Sequence, residues 1–589
     1  MKYTLSNLNS NEPQKSSFWP AVKKLVPYMR EESKTLVISF IAILVNSGLT
    51  ILAPIVIGHT VDTYIITRQF HGVLVYAGIL AAIYLGALLA SFLQTRLMGG
   101  VGQRTLYRLR DAVFTKLQDL PVAFFNQNKA GDLISRINND TDKLNQFFSQ
   151  SLMQFIGNIF VIIGAGIAML LVDTKLGGTA LIPAVVLLVF TQLTSAWIKR
   201  QNFKSLQAMG GLSGEVQESL DNFKVIVAFN RRDYFKERFK EVNEQNYHTA
   251  LRAGIANNTY VPVYGLASNA GQLIVIVYGL SLISHGNFTF GLLISYLAYV
   301  SRFYDPLRQM AALWANLQAA LAGWDRIAEI LAMESDLPVL ERSTTEPTKP
   351  ASLLEFKDVE FEYPGGKPVL SDVNLTLETG KTYALVGPTG GGKTTTASLM
   401  ARLYDPTRGA IFLEGKDIRT YSPAERTKKI GFILQEPFLF GGTVGQNILY
   451  GNPDYRHLGM DHLEALLKKE GLHSLMHRFE QGLETPIVTQ GDTISLGQKQ
   501  LIAFIRAVLR HPDLLILDEA TANIDTVTEQ LLEDILKKLP KKTTKVIIAH
   551  RLNTIENADE IFFVNGGSVI SAGSLDQAVK MLQSNVRES

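Results

Sequence analysis

The residues best suited to chemistry lie at positions 387 to 394, which read Gly-Pro-Thr-Gly-Gly-Gly-Lys-Thr. This run matches the phosphate-binding pattern G-x-x-x-x-G-K-[ST] in full. Backbone N–H groups bared by the glycines can surround a β-phosphate, Lys393 can reach the β and γ oxygens, and the Thr394 hydroxyl can bind Mg²⁺. The sequence therefore predicts a nucleotide site whose contacts are Gly387, Pro388, Thr389, Gly390, Gly391, Gly392, Lys393, Thr394 and Thr395.

Two carboxylates suited to chemistry stand at the end of another apolar run. Residues 514 to 519 read Leu-Leu-Ile-Leu-Asp-Glu, the pattern of a buried strand followed by two carboxylates. Asp518 is placed to hold Mg²⁺ through water, and Glu519 can polarise the water that attacks the γ-phosphate. Such a run is a weak signal alone, but it follows a complete phosphate loop. We therefore predict that Asp518 binds the metal and that Glu519 is catalytic.

Alternating strands and helices must position these groups. An apolar strand precedes the loop at residues 383–386, and a helix at 395–402 follows it and directs its positive end at the anion. A polar stretch containing Pro and Thr at 336–350 is interpreted as a linker. The pattern predicts an α/β P-loop NTPase domain over residues 351–589.

Composition indicates a membrane protein with several domains. The chain has 589 residues and is 47% hydrophobic, and its long apolar stretches crowd the first 330 positions. The net charge of +3 is too small to suggest nucleic-acid binding. With no cysteine, the chain has no disulfide framework, thiol nucleophile or cysteine-based metal site.

The first 335 residues are predicted to form an all-α transmembrane domain with six spans. About 20 helical residues cross a bilayer. Six stretches satisfy this length, near Thr35 to Ile66, Val73 to Met98, Leu152 to Val172, Leu176 to Ile198, Ile255 to Ile283 and Phe288 to Leu317. Seven polar residues within them are interpreted first as hydrogen-bonding between helices and second as lining a pathway. They are Asn46, His59, Gln94, Asn158, Gln192, Asn269 and Gln272.

Basic residues predict the orientation of the spans. They concentrate in the two long connections, between Arg96 and Lys143 and between Lys199 and Arg252, whereas the short loops offer only Arg68 and Lys175. The positive-inside rule then places both termini, both long connections and the nucleotide domain in the cytoplasm, with the chain a multi-pass protein of the cell membrane. Because the long connections keep a helical pattern, we expect the spanning helices to continue beyond the bilayer.

These features resemble an ATP-binding cassette (ABC) exporter of the fused half-transporter type over essentially the whole chain. Residues 494 to 498, Ile-Ser-Leu-Gly-Gln, resemble the family's signature. The resemblance implies further roles at matching positions. It gives Tyr363 adenine stacking, Gln435 contact with Mg²⁺ and attacking water, and His550 contact with the γ-phosphate. In this family the signature of one chain contacts the ATP held by the phosphate loop of the other. The resemblance therefore implies that Ser495, Gly497 and Gln498 of the signature and Asp525 of the D-loop contact the ATP held by the partner chain.

Two further segments resemble the elements that couple the halves of such exporters, one from Phe124 to Leu133 and one from Glu215 to Phe229. The chain also departs from the family pattern at two places. Leu496 stands where glycine is most usual, and residues 488–491 lack the acidic–basic pair common there. Leu496 occupies a tolerant position and is not interpreted as inactivating, whereas the missing charge pair bears on the contacts with a partner chain.

The resemblance implies an ATP-hydrolysing exporter that uses ATP and Mg²⁺ and works by alternating access. In this family two chains pair around the nucleotides, so we expect a second half-transporter chain, with a slight preference for a heterodimer. The substrate is expected to be amphipathic or lipid-like. A lipid flippase, a peptide exporter and an ATP-gated channel stay open on the same scaffold, whereas a soluble ABC ATPase would not need the membrane half.

Overall fold

The computed structural model describes residues 3, 5, 27 and 30–580, except 335–336, 341–351, 365, 436, 453, 456–458, 489–493, 519–525, 549–557, 574–575 and 579. Side chains at 311, 526–528 and 538 are also outside the description. The chain divides into two compact units. The helical unit is Ser6–Gln118 with Gly131–Ala332, and the nucleotide unit is Met1–Leu5, Asp119–Ala130 and Met333–Ser589.

From Arg30 to Leu331 the described residues form helices joined by short connections. In chain order the helices are α1 (Ser33–Thr60), α2 (Phe70–Asp119), α3 (Val122–Gln127), α4 (Ala130–Ser135), α5 (Thr141–Gln146), α6 (Leu152–Val172), α7 (Thr174–Asp221), α8 (Phe223–Ala228), α9 (Arg232–Asn258), α10 (Tyr260–Ser284) and α11 (Phe290–Leu331). A 3₁₀ turn at Arg30–Glu32 precedes α1, and π-helical turns occupy Val61–Ile65, Arg136–Asp140 and Phe147–Ser151. The predicted continuation beyond the bilayer is confirmed by α2 and α7, which run for 50 and 48 residues.

Among the described residues, five helices are long and apolar enough to cross a membrane. They are Arg30–Ile65, Phe70–Asp119, Ala130–Val172, Thr174–Asp221 and Arg232–Ser284. The sixth predicted span falls in α11, which is continuous over 42 residues but is not among these five. Its middle carries Arg302, Asp305 and Arg308, and these charges lower its hydropathy.

Small residues let α1 and α11 approach closely. A Cβ placed on Gly58 would lie only 2.6 Å from the carbonyl oxygen of Gly291. The Ser295 hydroxyl donates to the Pro54 carbonyl at 2.6 Å, and Asp62 accepts from the Gly291 N–H at 2.7 Å. In a membrane the hydrophobic effect does not drive helices together, because lipid tails are as apolar as the helices. Helices there associate through close packing and hydrogen bonds of this kind.

Polar side chains of α11 connect it to its neighbours. The hydroxyls of Tyr299 and Tyr304 donate to the carbonyls of Ile51 in α1 and Ala180 in α7 at 2.7 and 2.8 Å. Two further bonds involve side chains that the sequence singled out. Asn158 reaches Gln309 at 3.4 Å, and Gln272 reaches Ser301 at 3.1 Å. The first interpretation of those two residues, hydrogen bonding between helices, is confirmed.

The nucleotide unit contains the sheets. Its strands are β1 (Leu354–Glu362), β2 (Pro368–Leu377), β3 (Thr382–Val386), β4 (Arg408–Leu413), β5 (Lys416–Asp417), β6 (Ile430–Ile433), β7 (Gly442–Thr443), β8 (Pro486–Ile487), β9 (Leu514–Asp518), β10 (Thr544–Ile548), β11 (Glu560–Asn565) and β12 (Ser568–Ser571). Its later helices are α12 (Lys393–Met400), α13 (Pro423–Lys429), α14 (Val444–Leu449), α15 (Met460–Lys469), α16 (Leu496–Val508) and α17 (Thr526–Lys538), with 3₁₀ turns at Ile418–Thr420, His473–Arg478 and Gly482–Glu484.

The strands form a four-stranded sheet ordered β2-β1-β4-β5, a six-stranded sheet ordered β12-β11-β3-β10-β9-β6, and the pair β7-β8. In the six-stranded sheet β11, β3, β10, β9 and β6 are parallel. One apolar core joins the four-stranded sheet to β3 and α12, and a second packs α14, α15 and α16 on β6 and β9. The predicted fold class, a helical membrane domain followed by an α/β nucleotide domain, is confirmed.

Candidate nucleotide site

The phosphate loop begins where a central strand of the six-stranded sheet ends. Strand β3 is apolar because it lies between β11 and β10 with helices packed on it, and four of its five residues are buried. Residues 387–392 turn the chain from the carboxyl end of β3 directly into α12. Backbone N–H groups at the start of α12 therefore face the edge of the sheet where ligands of parallel α/β sheets bind.

Two glycines show that the loop fits a phosphate. Gly390 has a left-handed backbone with φ of 82°, and no atom lies within 4 Å of where its Cβ would stand. That open space is available to a bound group. A Cβ on Gly391 would instead lie 2.6 Å from the Val564 carbonyl, so the inner side of the loop admits no side chain. Glycine at both positions keeps the loop close to the sheet and its outer surface bare.

Lys393 supplies the charge of the loop. Its side chain is almost fully buried, with 6% exposed, and its ammonium donates to the carbonyls of Gly387 and Pro388 at 2.9 and 3.0 Å. These bonds hold the ammonium across the phosphate loop, where it can contact a bound phosphate. A cation enclosed by a glycine-rich loop at a helix N-terminus suits a polyphosphate.

Thr394 and Asp518 are brought together as the sequence predicted. Strands β3 and β9 flank β10 in register, with Ile548 paired to both Leu385 and Asp518, so all three strands end at one edge. The Thr394 hydroxyl lies 3.5 Å from a carboxylate oxygen of Asp518, which is only 3% exposed. A hydroxyl beside a buried carboxylate is the oxygen ligand set that Mg²⁺ prefers.

Tyr363 lies beside the first turn of α12. Its hydroxyl is 3.0 Å from that of Thr395, and its ring meets those of Phe361 and Tyr404 edge-to-face at 4.9 and 5.3 Å. Tyr363 and Tyr404 are half-buried, which is compatible with the predicted adenine contact of Tyr363. Burial raises the pKa of Tyr404, so its phenol stays neutral at physiological pH.

Asn126 is a residue of this site that sequence reasoning did not connect to it. Its side-chain amide donates to the Tyr404 hydroxyl at 2.7 Å, across 278 positions of sequence. Asn126 lies in α3, within the segment that resembles a coupling element, and both residues belong to the nucleotide unit. The resemblance of the segment from Phe124 to Leu133 does not indicate this contact, because no spacing rule links Asn126 to Tyr404.

The signature residues lie at the N-terminus of α16. Ser495 and Gln498 form a capping box, in which the Ser495 N–H donates to the Gln498 side-chain oxygen at 2.8 Å and the Gln498 N–H donates to the Ser495 hydroxyl at 3.2 Å. The Gln498 amide also donates to the Arg478 carbonyl at 2.6 Å. Gly497 follows in the first turn. The N-terminus of this 13-residue helix is fixed locally and keeps N–H groups for an anion.

Three predicted residues come shortly after strands that end at this same edge of the sheet. Gln435 comes two residues after β6, the neighbour of β9, and its side chain is exposed. Glu519 directly follows β9, and His550 comes two residues after β10. Glu519, His550 and Asp525 lie outside the described residues, so their roles stay predictions.

A phosphate loop of this geometry, with an acidic strand beside it and a helical unit in the same chain, defines a membrane-bound P-loop ATPase. Family models support both halves. The ABC transporter transmembrane region matches residues 36–307, and the ABC transporter ATPase model matches residues 370–522. The chain belongs to the ABC transporter family, as the sequence resemblance predicted.

Relatives agree over most of the chain. An uncharacterized ABC transporter ATP-binding protein of Bacillus subtilis is 33% identical over 563 residues, which cover 95% of this chain and 92% of the relative. A fatty acid ABC transporter ATP-binding/permease protein of Mycobacterium bovis is 32% identical, covering 84% and 77%. A probable multidrug resistance ABC transporter of B. subtilis is 30% identical, covering 81% and 71%. The chain is thus an exporter-type ABC transporter of the membrane that couples ATP hydrolysis to transport.

Proposed function

We propose that the chain is half of an ATP-driven exporter that moves an amphipathic or lipid-like substrate out of the cytoplasm or across the bilayer. The observation that carries this proposal is that one chain contains both the site formed by Lys393, Thr394 and Asp518 and five helices apolar enough to cross a membrane. The relatives named for fatty acid and multidrug transport support the substrate class. The basic residues of the long connections support cytoplasmic termini and a cytoplasmic nucleotide domain.

The geometry supports the roles proposed for the phosphate loop, Thr394 and Asp518, and the sequence supplies those proposed for Tyr363, Gln435, Glu519 and His550. Lys393 and the loop N–H groups bind the polyphosphate, while Tyr363 orients the base. Thr394, Asp518 and Gln435 would hold Mg²⁺, which when bound offsets the phosphate charge. Glu519 would orient the attacking water and His550 would contact the terminal phosphate.

The second chain of the exporter is proposed to complete each site. Members of this family generally form dimers, and the capped N-terminus of α16 at Ser495 is the surface offered to the partner's nucleotide. Leu496 and the missing charge pair at residues 488–491 slightly favour a heterodimer. Expression of the chain alone tests this preference. A stable homodimer with vigorous ATP hydrolysis would contradict the heterodimer.

The substrate class is tested by ATP hydrolysis in lipid nanodiscs with a panel of additives. The panel contains a long-chain fatty acid, a lysophospholipid, an amphipathic cationic dye and an unrelated hydrophilic peptide. We expect the acyl-chain or dye compounds to stimulate hydrolysis and to be carried into inside-out vesicles with ATP. Stimulation and uptake of the peptide alone would replace the proposal with a peptide exporter, and ATP-dependent ion conductance without uptake would indicate a channel.

A further inference from the structure

Two residues at the start of the chain are buried on the nucleotide unit. Tyr3 and Leu5, called here the N-terminal segment, are only 2% and 4% exposed. By their contacts they group with residues Asp119–Ala130 and with the nucleotide domain in one compact unit. Burial of an aromatic and an aliphatic side chain here indicates a fixed docking position, because a segment free in water would leave both exposed.

The docking position is the C-terminal end of α3. The N–H of Tyr3 donates to the Gln127 side chain, and the N–H of Leu5 donates to the Asn128 side chain, both at 3.0 Å. The Asn128 amide in turn donates to the carbonyls of Tyr3 and Phe124, both at 2.8 Å. The two side-chain amides therefore bond the backbone of the N-terminal segment much as a neighbouring strand would. The Tyr3 ring also packs edge-to-face on Phe124, with centroids 6.4 Å apart.

The residue next to this docking position reaches the nucleotide site. Asn126 precedes Gln127 in α3 and donates to the Tyr404 hydroxyl at 2.7 Å. The Tyr404 ring stands perpendicular to that of Tyr363, whose hydroxyl lies 3.0 Å from the hydroxyl of Thr395. A continuous set of contacts thus runs from the N-terminal segment through α3 to the first turn of the phosphate-loop helix.

We propose that the N-terminal segment is a positioning element for ATP binding. It holds the end of α3 so that Asn126 stays bonded to Tyr404, and Tyr404 then keeps Tyr363 against Thr395. Release of the segment frees α3 and loosens Tyr363, so ATP binds less tightly although the groups that hydrolyse it are intact. This inference rests on the proposed role of Tyr363 in binding the nucleotide base.

Docking can be measured without reference to nucleotide, because the chain has no cysteine of its own. In the full-length protein in nanodiscs, Leu5→Cys is labelled with a soluble maleimide, and Val339→Cys, at a position where 52% of the side chain is exposed, serves as the control. We expect Leu5→Cys to react at least about tenfold more slowly, because its thiol is shielded as the leucine is. Adding Asn128→Ala should bring its rate to that of the control. Equal rates for Leu5→Cys and Val339→Cys would overturn the docking.

The functional step is measured as the KM for ATP and the kcat of hydrolysis. Asn128→Ala and Asn126→Ala should each raise KM by about three- to tenfold, the scale of losing one neutral hydrogen bond, while kcat stays near the wild-type value. Asn139→Ala removes an exposed asparagine that donates to Ser135, four residues before it, and is the matched control, with no change in KM expected. A wild-type KM in Asn128→Ala would overturn the positioning role. Tyr363→Ala separates the two proposals: a normal KM there would contradict the base-binding role of Tyr363 itself, whereas the labelling result stands on its own.

Discussion

The Thr394 hydroxyl lies 3.5 Å from a carboxylate oxygen of Asp518, although 124 positions separate the two residues. Parallel strands bring them together, because β3 and β9 pair with opposite sides of β10 and end at the same edge. Asp518 is buried, whereas Thr394 is exposed at the start of the phosphate-loop helix. This relationship joins a loop motif and an acidic strand into one ATP site, at which we propose that Mg²⁺ also binds.

The first prediction concerns that pair. Asp518→Asn keeps the shape of the side chain but removes its charge, so the Mg²⁺ concentration that supports half-maximal hydrolysis should rise by about 10- to 100-fold. A Mg²⁺ titration of ATP hydrolysis measures this. Asp513→Asn is the matched control, since Asp513 precedes the opposite end of β9 and pairs there with Lys429 at 3.4 Å. Equal Mg²⁺ requirements in the two variants would contradict the metal role of Asp518.

The second prediction concerns phosphate binding. Lys393→Ala removes the ammonium held over the loop and should abolish ATP binding and transport while the protein stays folded in the membrane. Binding of a fluorescent ATP analogue to the purified variant checks this. Lys381→Ala, just before β3 and paired with Glu378 at 2.8 Å on the surface, should bind as the wild type does. Unchanged affinity in Lys393→Ala would refute the assignment of the loop.

The third prediction concerns a buried ion-pair cluster in the helical unit. The Arg136 side chain is 1% exposed and pairs with Asp132 at 3.1 Å and with Glu329 of α11 at 2.7 Å. Arg136→Met removes this buried cation and leaves two partly exposed carboxylates, so it should destabilise the protein by about 1.5–3 kcal/mol, the scale of losing a hydrogen bond to a charged group. A thermal unfolding scan in detergent should show a clear fall in Tm.

The control for the ion-pair prediction is Lys236→Met. Lys236 pairs with Asp233 at 3.1 Å, but both side chains are largely exposed. Exposed pairs contribute little because water and salt screen them. We therefore expect no measurable change in Tm, and equal losses in the two variants would contradict a special role for the Arg136 cluster.

Motifs with local geometry could be predicted from the sequence. The strand, loop and helix around Gly390 and Lys393 follow from residue spacing alone. The position of Asp518 near the loop follows from the rule that ligands bind at the carboxyl edge of parallel sheets. Contacts between residues that lie far apart in the sequence could not be predicted. Nothing in the sequence near Asn126 indicates Tyr404, because their contact depends on how the short helix α3 packs within the nucleotide unit.

Two other differences have physical reasons. The sixth predicted span was located by apolar length, but Arg302, Asp305 and Arg308 leave α11 less apolar than the other five helices. At the signature, the Ser495 and Gln498 side chains cap α16, as Ser-x-x-Gln spacing allows, and the sequence analysis considered them only as nucleotide contacts. The backbone of the capped helix remains available for that contact.

The central claim, that this chain uses ATP hydrolysis to drive transport, is tested most directly in Glu519→Gln. This change removes the carboxylate proposed to orient the attacking water but keeps a side chain of the same shape. The ATP turnover rate and the amount of ATP bound are measured together in nanodiscs, with the proposed partner chain present if the dimer requires it. Hydrolysis at the site carrying the change should fall by at least about 100-fold, the scale for losing a general base, while ATP stays bound. Near-wild-type hydrolysis at that site would contradict the account.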